Sequence, residues 1–152
     1  MQKPVVFLDA DVIFAGAAAP TEHGASHVVL RLGEITLLEC VTSTQVITEV
    51  ERNFAAKLPS KLPELRLIIS RSLRIVPDPA PEALLSYRGQ ADPKDLPILV
   101  AALQHGCRFL LAFNLRHYTP AGGGIIVQRP GAFLTTVRDL LAQLATGTGE
   151  MS

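Results

Sequence analysis

The first apolar run of the chain, VVFLDADVIFAG (residues 5–16), ends on two carboxylates, Asp9 and Asp11, before apolar residues resume. A buried strand that stops on an acid puts that acid at the edge of a sheet, where parallel α/β folds bind their ligands. Asp11 has an equal competing use as a cap for the following helix. Further along, Glu49 borders the apolar stripe Val46/Ile47/Val50/Phe54 of a helical segment, so it is expected to be half-buried and to need a partner. That partner is either a site cation or a neighbouring base such as Arg52. Asp92 and Asp95 open another helical segment, where capping explains one acid and leaves the other free for chemistry. Asn114 follows an apolar strand, as a ligand or as a turn residue. Carboxylates converging on one sheet edge with little positive charge nearby repel one another unless divalent cations neutralise them. Oxygen donors favour Mg²⁺ or Mn²⁺ over zinc, and phosphodiester chemistry is the common use of such a site.

Strands and helices must alternate to bring these residues together, and the pattern does so. PVVFLD (4–9), TLLECV (36–41), LRIVP (73–77), RFLLAF (108–113) and GIIVQR (124–129) read as strands, the first apolar on both faces as in a covered parallel sheet. Helices are expected after Asp11, over 23–33, over 43–58 with Ser43 as N-cap, over 64–72 after Pro59 and Pro63, over 92–106 with Gly106 as stop, and over 130–145. This is an α/β domain with a mainly parallel sheet of about five strands. Domain boundaries are expected at 1–146, with 147–152 a frayed tail.

Composition narrows the function. At 152 residues, 48% of them apolar, the chain builds one sizeable core, and its mean hydropathy of +0.30 leaves an apolar surplus for a partner or a second subunit to cover. No apolar run reaches the roughly 18 residues of a membrane span, and no signal-like leader opens the chain, so a cytoplasmic protein is expected. Cys40 and Cys107 are too far apart for a CxxC site, which argues against a zinc knuckle or a disulfide framework. Net charge is zero, but Arg52, Lys57, Lys61, Arg66, Arg71 and Arg74 face only Glu64 within their span. Such a run is either a solvated helical face or a track for a polyanion.

Taken together, these residues resemble the PIN-domain ribonucleases, the family that includes the VapC-like toxins of bacterial toxin–antitoxin pairs. VVFLDADVI is similar to the first motif, giving Asp9; TSTQVITEVERNF to the second, giving Glu49; DPKDLPILVAALQHGCRFLLAFN to the third, giving Asp95. AFNLRHY is similar to a fourth motif that usually reads Thr-x-Asp/Asn-x-x-Asp/His-Phe, giving Asn114 and His117, with Ala112 in place of Thr and no carboxylate. The resemblance implies a three-layer α/β/α sandwich with the first strand in the middle. It implies Asp9, Glu49, Asp95 and Asn114 as catalytic residues holding Mg²⁺ or Mn²⁺, with Asp11, Asp92 and His117 in supporting places. It also implies hydrolysis of single-stranded RNA by in-line attack of a metal-activated water, with the basic run guiding the RNA, and a homodimer silenced by an antitoxin. Two other readings compete. One is a catalytically weak PIN domain that binds RNA or a protein partner. The other is a haloacid-dehalogenase-type phosphatase, because LDADVIF also looks like its DxDx(T/V) signature; Lys94 is then the required lysine, but no acid follows the fourth strand.

Overall fold

The computed structural model describes residues 3–151, with side chains through 146. Its sheet holds five strands, β1 (Val5–Leu8), β2 (Glu39–Ser43), β3 (Arg74–Val76), β4 (Phe109–Leu111) and β5 (Ile126–Gln128). All neighbours pair in parallel in the order β3-β2-β1-β4-β5, so β1 is the middle strand. Val6, Phe7 and Leu8 are fully buried, which explains an apolar run without alternation: both faces of β1 are covered.

The chain leaves β1 in one direction and later returns to its other side. Helices α1 (Ala10–Ala18) and α2 (Gly24–Glu34) connect β1 to β2, and α3 (Thr44–Lys57) and α4 (Leu62–Ser72) connect β2 to β3. The connection from β3 then runs back across the sheet through α5 (Leu96–Gln104) to β4, and α6 (Pro130–Met151) closes the chain after β5. Right-handed crossovers place the helices of the first two connections on one face and α5 on the other, an α/β/α sandwich. The first-face helices pack together, α1 against α2 and α3, α2 against α4. Edge-on ring pairs join α1 to α3, Phe14–Phe54 at 4.8 Å, and β4 to α6, Phe109–Phe133 at 5.0 Å.

Element types match the sequence pattern, and the differences lie at ends. Ser43 caps α3 as expected, its Oγ accepting from the Val46 N–H at 3.5 Å. β2 begins at Glu39 instead of 36, because Leu37 and Leu38 donate their N–H groups back to the Leu32 carbonyl, and Thr36 takes the left-handed conformation (φ 65°) to close the turn. α4 starts at Leu62, with Pro63 in its first turn, where a missing N–H costs nothing. α5 starts at Leu96 instead of 92, with consequences for the site. The α6 backbone extends through 147–151, where a frayed tail is expected from the sequence; Ser152 lies outside the described residues. Cys40 and Cys107 are separate buried thiols.

At Gly33, α2 comes close both to the end of α4 and to β2. A Cβ there would stand 2.7 Å from the Ser72 carbonyl oxygen and 2.9 Å from the Cys40 Sγ. Alanine normally strengthens a helix interior, but here the clash is with backbone and overrides that gain. Gly33→Ala should destabilise the protein by about 1–3 kcal/mol, read as a lower urea midpoint with an unchanged m-value; a raised midpoint would show that α2 and α4 separate freely.

Candidate metal centre

The strand order reverses between β1 and β4, and the crevice at the carboxyl ends of these two strands is the ligand site that such sheets provide. Asp9 leaves β1 there. Its backbone N–H extends the β1–β4 ladder to the Leu111 carbonyl at 3.0 Å, and its side chain caps α1 through the Ala10 N–H at 2.7 Å. The capping role therefore falls to Asp9, while Asp11 in the first turn reaches across to accept from the Phe113 N–H at 3.1 Å. Arg129 donates to the Phe113 carbonyl at 3.2 Å, so both backbone groups just past β4 are held.

The start of α5 differs most from the sequence expectation. Residues 92–95 form a turn, with the Asp95 and Leu96 N–H groups donating to the Asp92 carbonyl at 2.8 and 2.9 Å. Asp95, not Asp92, becomes the N-cap residue, yet its side chain caps nothing. The turn is braced from outside by Gln45, whose Nε2 donates to the Lys94 carbonyl at 3.1 Å. From the other side, the Asp92 N–H donates to the His117 carbonyl at 2.9 Å and the Thr119 N–H to the Gln90 carbonyl at 2.7 Å, around an antiparallel bridge between Ala91 and Tyr118.

This bracing brings Asp92, Asp95 and His117 together. A carboxylate oxygen from each acid and a ring nitrogen of His117 lie within 4.8 Å of one another, close enough to share one cation. His117 Nδ1 stands 3.0 Å from Asp95 Oδ2 and Nε2 3.6 Å from Asp92 Oδ2. The shorter pair has ion-pair distance but not the direction of a hydrogen bond, so the buried Asp95 Oδ2 has no hydrogen-bond partner among the described residues. Asn114 Nδ2 lies 2.8 Å from His117 Nε2, a contact whose donor and acceptor follow the imidazole tautomer. Asn114 is thus exposed and turned towards the imidazole.

Asp9 and Glu49 lie outside that group of three but share its field. The carboxyl of Asp9 is pushed up by burial, against the hydrogen bonds from Tyr118 and Ala10. Asp95 is pushed up by burial and then by Asp9, with Lys94 and His117 opposing. Glu49 is raised by lost hydration, then by Asp9 and Asp95. It is exposed, not half-buried, because α3 buries the Val46/Val50/Phe54 stripe and leaves Glu49 on the rim. Asp11 rises to about 6, from burial first and Asp9 second, and its Oδ1 is buried without a partner. Clustered acids with raised pKa values and two orphaned carboxylate oxygens fit a divalent cation that would supply the missing charge. The carboxylates suit a hard divalent ion such as Mg²⁺ or Mn²⁺, and the imidazole adds one nitrogen donor to the set.

Of the basic run, Arg66 pairs with Glu51 at 3.0 Å and Arg74 with Glu39 at 2.7 Å, the latter at the amino ends of β3 and β2, the opposite edge from Asp9. Lys57 lies 5.3 Å from the centre of the Phe14 ring, and Arg52, Lys61 and Arg71 are exposed. Lys94 and Tyr118 are neighbours of the acids that motif reading passes over. Tyr118 donates its hydroxyl to Asp9 Oδ2 at 2.6 Å. Its only sequence signal is a hydroxyl where the fourth motif usually ends in Phe.

A family model described as PIN domain matches residues 5–116. The chain belongs to the PIN-domain family. No curated protein sequence matches it. Among solved structures it is similar to VapBC2 from Rickettsia felis, bound to a DNA fragment from its promoter, at 16% identity and a TM-score of 0.60, over 82% of this chain and 98% of that one. It is also similar to VapC20 of Mycobacterium tuberculosis, a sarcin–ricin-loop-cleaving toxin, at 18% identity and a TM-score of 0.54, over 72% and 89%. At these identities the likeness is one of fold.

The raised acids set a pH dependence for the metal-free PIN domain. Each binds protons in the folded state where the unfolded chain has released them, so stability falls as pH rises through that window. For Asp11 the window runs from the ordinary carboxyl value of 3.8 to about 6, a contribution of at most about 3 kcal/mol. In chelator, the protein should melt higher at pH 5 than at pH 7.5. Asp11→Asn, which keeps an acceptor for Phe113, should shrink that difference; an undiminished one would place the titration elsewhere.

Proposed function

We propose that this PIN domain is a divalent-metal-dependent endoribonuclease that acts as the toxin of a toxin–antitoxin pair. The observation that carries the reading is the grouping of Asp92, Asp95 and His117 beside the β1–β4 crevice, with Asp9 and Glu49 near enough to add to its negative field. Asp95, with Asp92 and His117, would hold a Mn²⁺ or Mg²⁺ ion, and Asp9 and Glu49 would complete its surroundings or hold a second; Asn114 offers a neutral oxygen once its amide turns from His117. A bound divalent ion supplies Lewis-acid charge at the phosphate and lowers the pKa of water. The chain's own part is to hold the acids close together and oriented, so that a cation would keep them ionised, with Asp11 fixing the β4 end beside them and Lys94 among the acids where a phosphate would come.

Single-stranded RNA is the proposed substrate, in keeping with the sarcin–ricin-loop cleavage named for VapC20. Arg52, Lys57, Lys61, Arg66, Arg71 and Arg74 are the proposed guides for its backbone. Among them Arg66 and Arg74 must exchange a surface carboxylate for a phosphate, a small cost for exposed pairs. The exposed apolar residues Ile35, Leu37 and Leu141, around a groove lined by Leu32, Leu38, Val137 and Leu140, support a protein partner, an antitoxin or a second copy in a homodimer. No helix among the described residues is long and apolar enough to cross a membrane, and a cytoplasmic site of action is proposed. The phosphatase reading needs an acid after β4, where this fold presents Asn114 and His117.

The deciding experiment is cleavage of a labelled single-stranded RNA by the purified protein with and without Mn²⁺. Asp9→Asn and Asp95→Asn should each reduce the rate by at least about a hundredfold, as loss of a metal-site carboxylate does when charge stabilisation dominates, and chelator should abolish it. Metal-independent binding without cleavage would favour the non-catalytic RNA-binding reading. In parallel, Arg66→Ala with Arg71→Ala should weaken RNA binding and flatten its log–log salt dependence by about 0.7 per lost contact; an unchanged slope would make these residues a solvated face.

A further inference from the structure

We propose that Tyr118 is a positioning residue for the cation site, acting through Asp9. The inference rests on the metal-site reading above and adds a residue to it. Tyr118 is 5% exposed, and its ring belongs to the core, yet its hydroxyl ends on a carboxylate, with Asp9 Oδ2 accepting at 2.6 Å. The other Asp9 oxygen accepts from the Ala10 N–H at 2.7 Å. Two donors therefore fix the plane of one carboxylate, one from the next residue and one from a residue 109 positions away.

The backbone of Tyr118 is anchored just as firmly. It forms the antiparallel bridge with Ala91, and the flanking hydrogen bonds from Asp92 to His117 and from Thr119 to Gln90 close a short ladder. That ladder carries Asp92 and leads into Asp95 on one strand, and carries His117 on the other. Tyr118 thus connects the β1 end, through Asp9, to the segment that holds the three grouped ligands. A shift of the 114–119 segment would move His117 and pull on Asp9 together. Burial and the nearby acids keep the phenol a neutral donor. Its action is to orient Asp9, since hydrogen-bonded partners behind metal-binding side chains set their direction and typically account for ten- to a hundredfold of metal affinity.

Phenylalanine keeps the ring that fills the core and removes only the hydroxyl, leaving Asp9 Oδ2 without its donor. The test is calorimetric titration of Mn²⁺ into the full chain without RNA, for the wild type, Tyr118→Phe and Asp9→Asn, with circular dichroism to verify the fold. Tyr118→Phe should raise the Mn²⁺ dissociation constant about tenfold. Excess Mn²⁺ should then restore its RNA cleavage, with KM for RNA within about twofold of wild type; a purely structural role would not be rescued by metal. Unchanged Mn²⁺ affinity in Tyr118→Phe overturns the inference. If Asp9→Asn nevertheless loses Mn²⁺ binding, the metal-site reading stands without Tyr118; if neither variant changes affinity, Asp9 is not part of the cation site and both fail. Tyr118→Leu supplies the contrast: it removes the ring as well and should lower the melting temperature of the metal-free protein more than Phe does.

Discussion

The constraint on which this molecule depends is electrostatic. Asp9, Asp11, Glu49 and Asp95 stand near one another with raised pKa values, and burial is the first cause in each case. Left to themselves such groups would spread into solvent or stay protonated. They are held because each sits on an element whose position is fixed for other reasons: Asp9 by the β1–β4 ladder, Glu49 by the buried stripe of α3, Asp95 by the turn before α5. The core therefore supplies the free energy that keeps like charges together. The arrangement is a strained one in the absence of a cation, and that is the condition under which a cation binds well.

Much of the scaffold can be seen as bracing against that repulsion. Asp11 is the clearest case. Its carboxylate is one of the repelling group, yet one oxygen is spent on the Phe113 N–H, tying the start of α1 to the end of β4. Gln45 does the same for the 92–95 turn from the side of α3. Thr42, fully buried, donates to the Leu8 carbonyl at 2.8 Å and stiffens the last residue before Asp9. None of these contacts faces a substrate, but without them the acids would be free to separate.

The fold was legible in the sequence because its signals are local and mutually consistent. Four short apolar runs and one weaker one alternate with capped amphipathic stretches, and only a parallel sheet with covered faces accommodates VVFL without alternation. The PIN-domain match over residues 5–116 agrees with that reading. Asp9 at the end of β1 and Glu49 on α3 could be placed on their elements for the same reason, whereas Asp95, expected inside a helix over 92–106, stands just before α5. Tertiary partners could not be placed. Nothing in DPKD says that the helix waits until Leu96, because capping rules accept Asp92 as readily as Asp95. The choice is made by hydrogen bonds to His117 and Gln45, from segments 25 and 49 residues away. For Tyr118 the failure is of the same kind, since an aromatic residue near a strand end reads as core, and it is core. Only the three-dimensional structure shows where its hydroxyl ends.

The delayed start of α5 is also what gives the acids their division of labour. Had the helix begun at Asp92, that carboxylate would have been occupied with free N–H groups of the first turn, and Asp95 would have projected from the helix body. With the turn over 92–95 and the helix starting at Leu96, neither side chain caps a helix. Asp92 stays exposed and faces His117 Nε2, while Asp95 is drawn inward against Nδ1, with one oxygen buried and unpartnered. The two carboxylates thus approach one imidazole from opposite ring nitrogens, one from solvent and one from the interior. A small change in local helix geometry, fixed by contacts distant in sequence, converts an ordinary helix-start pattern into a group of side chains able to hold a cation, one of them with a buried oxygen that lacks a partner.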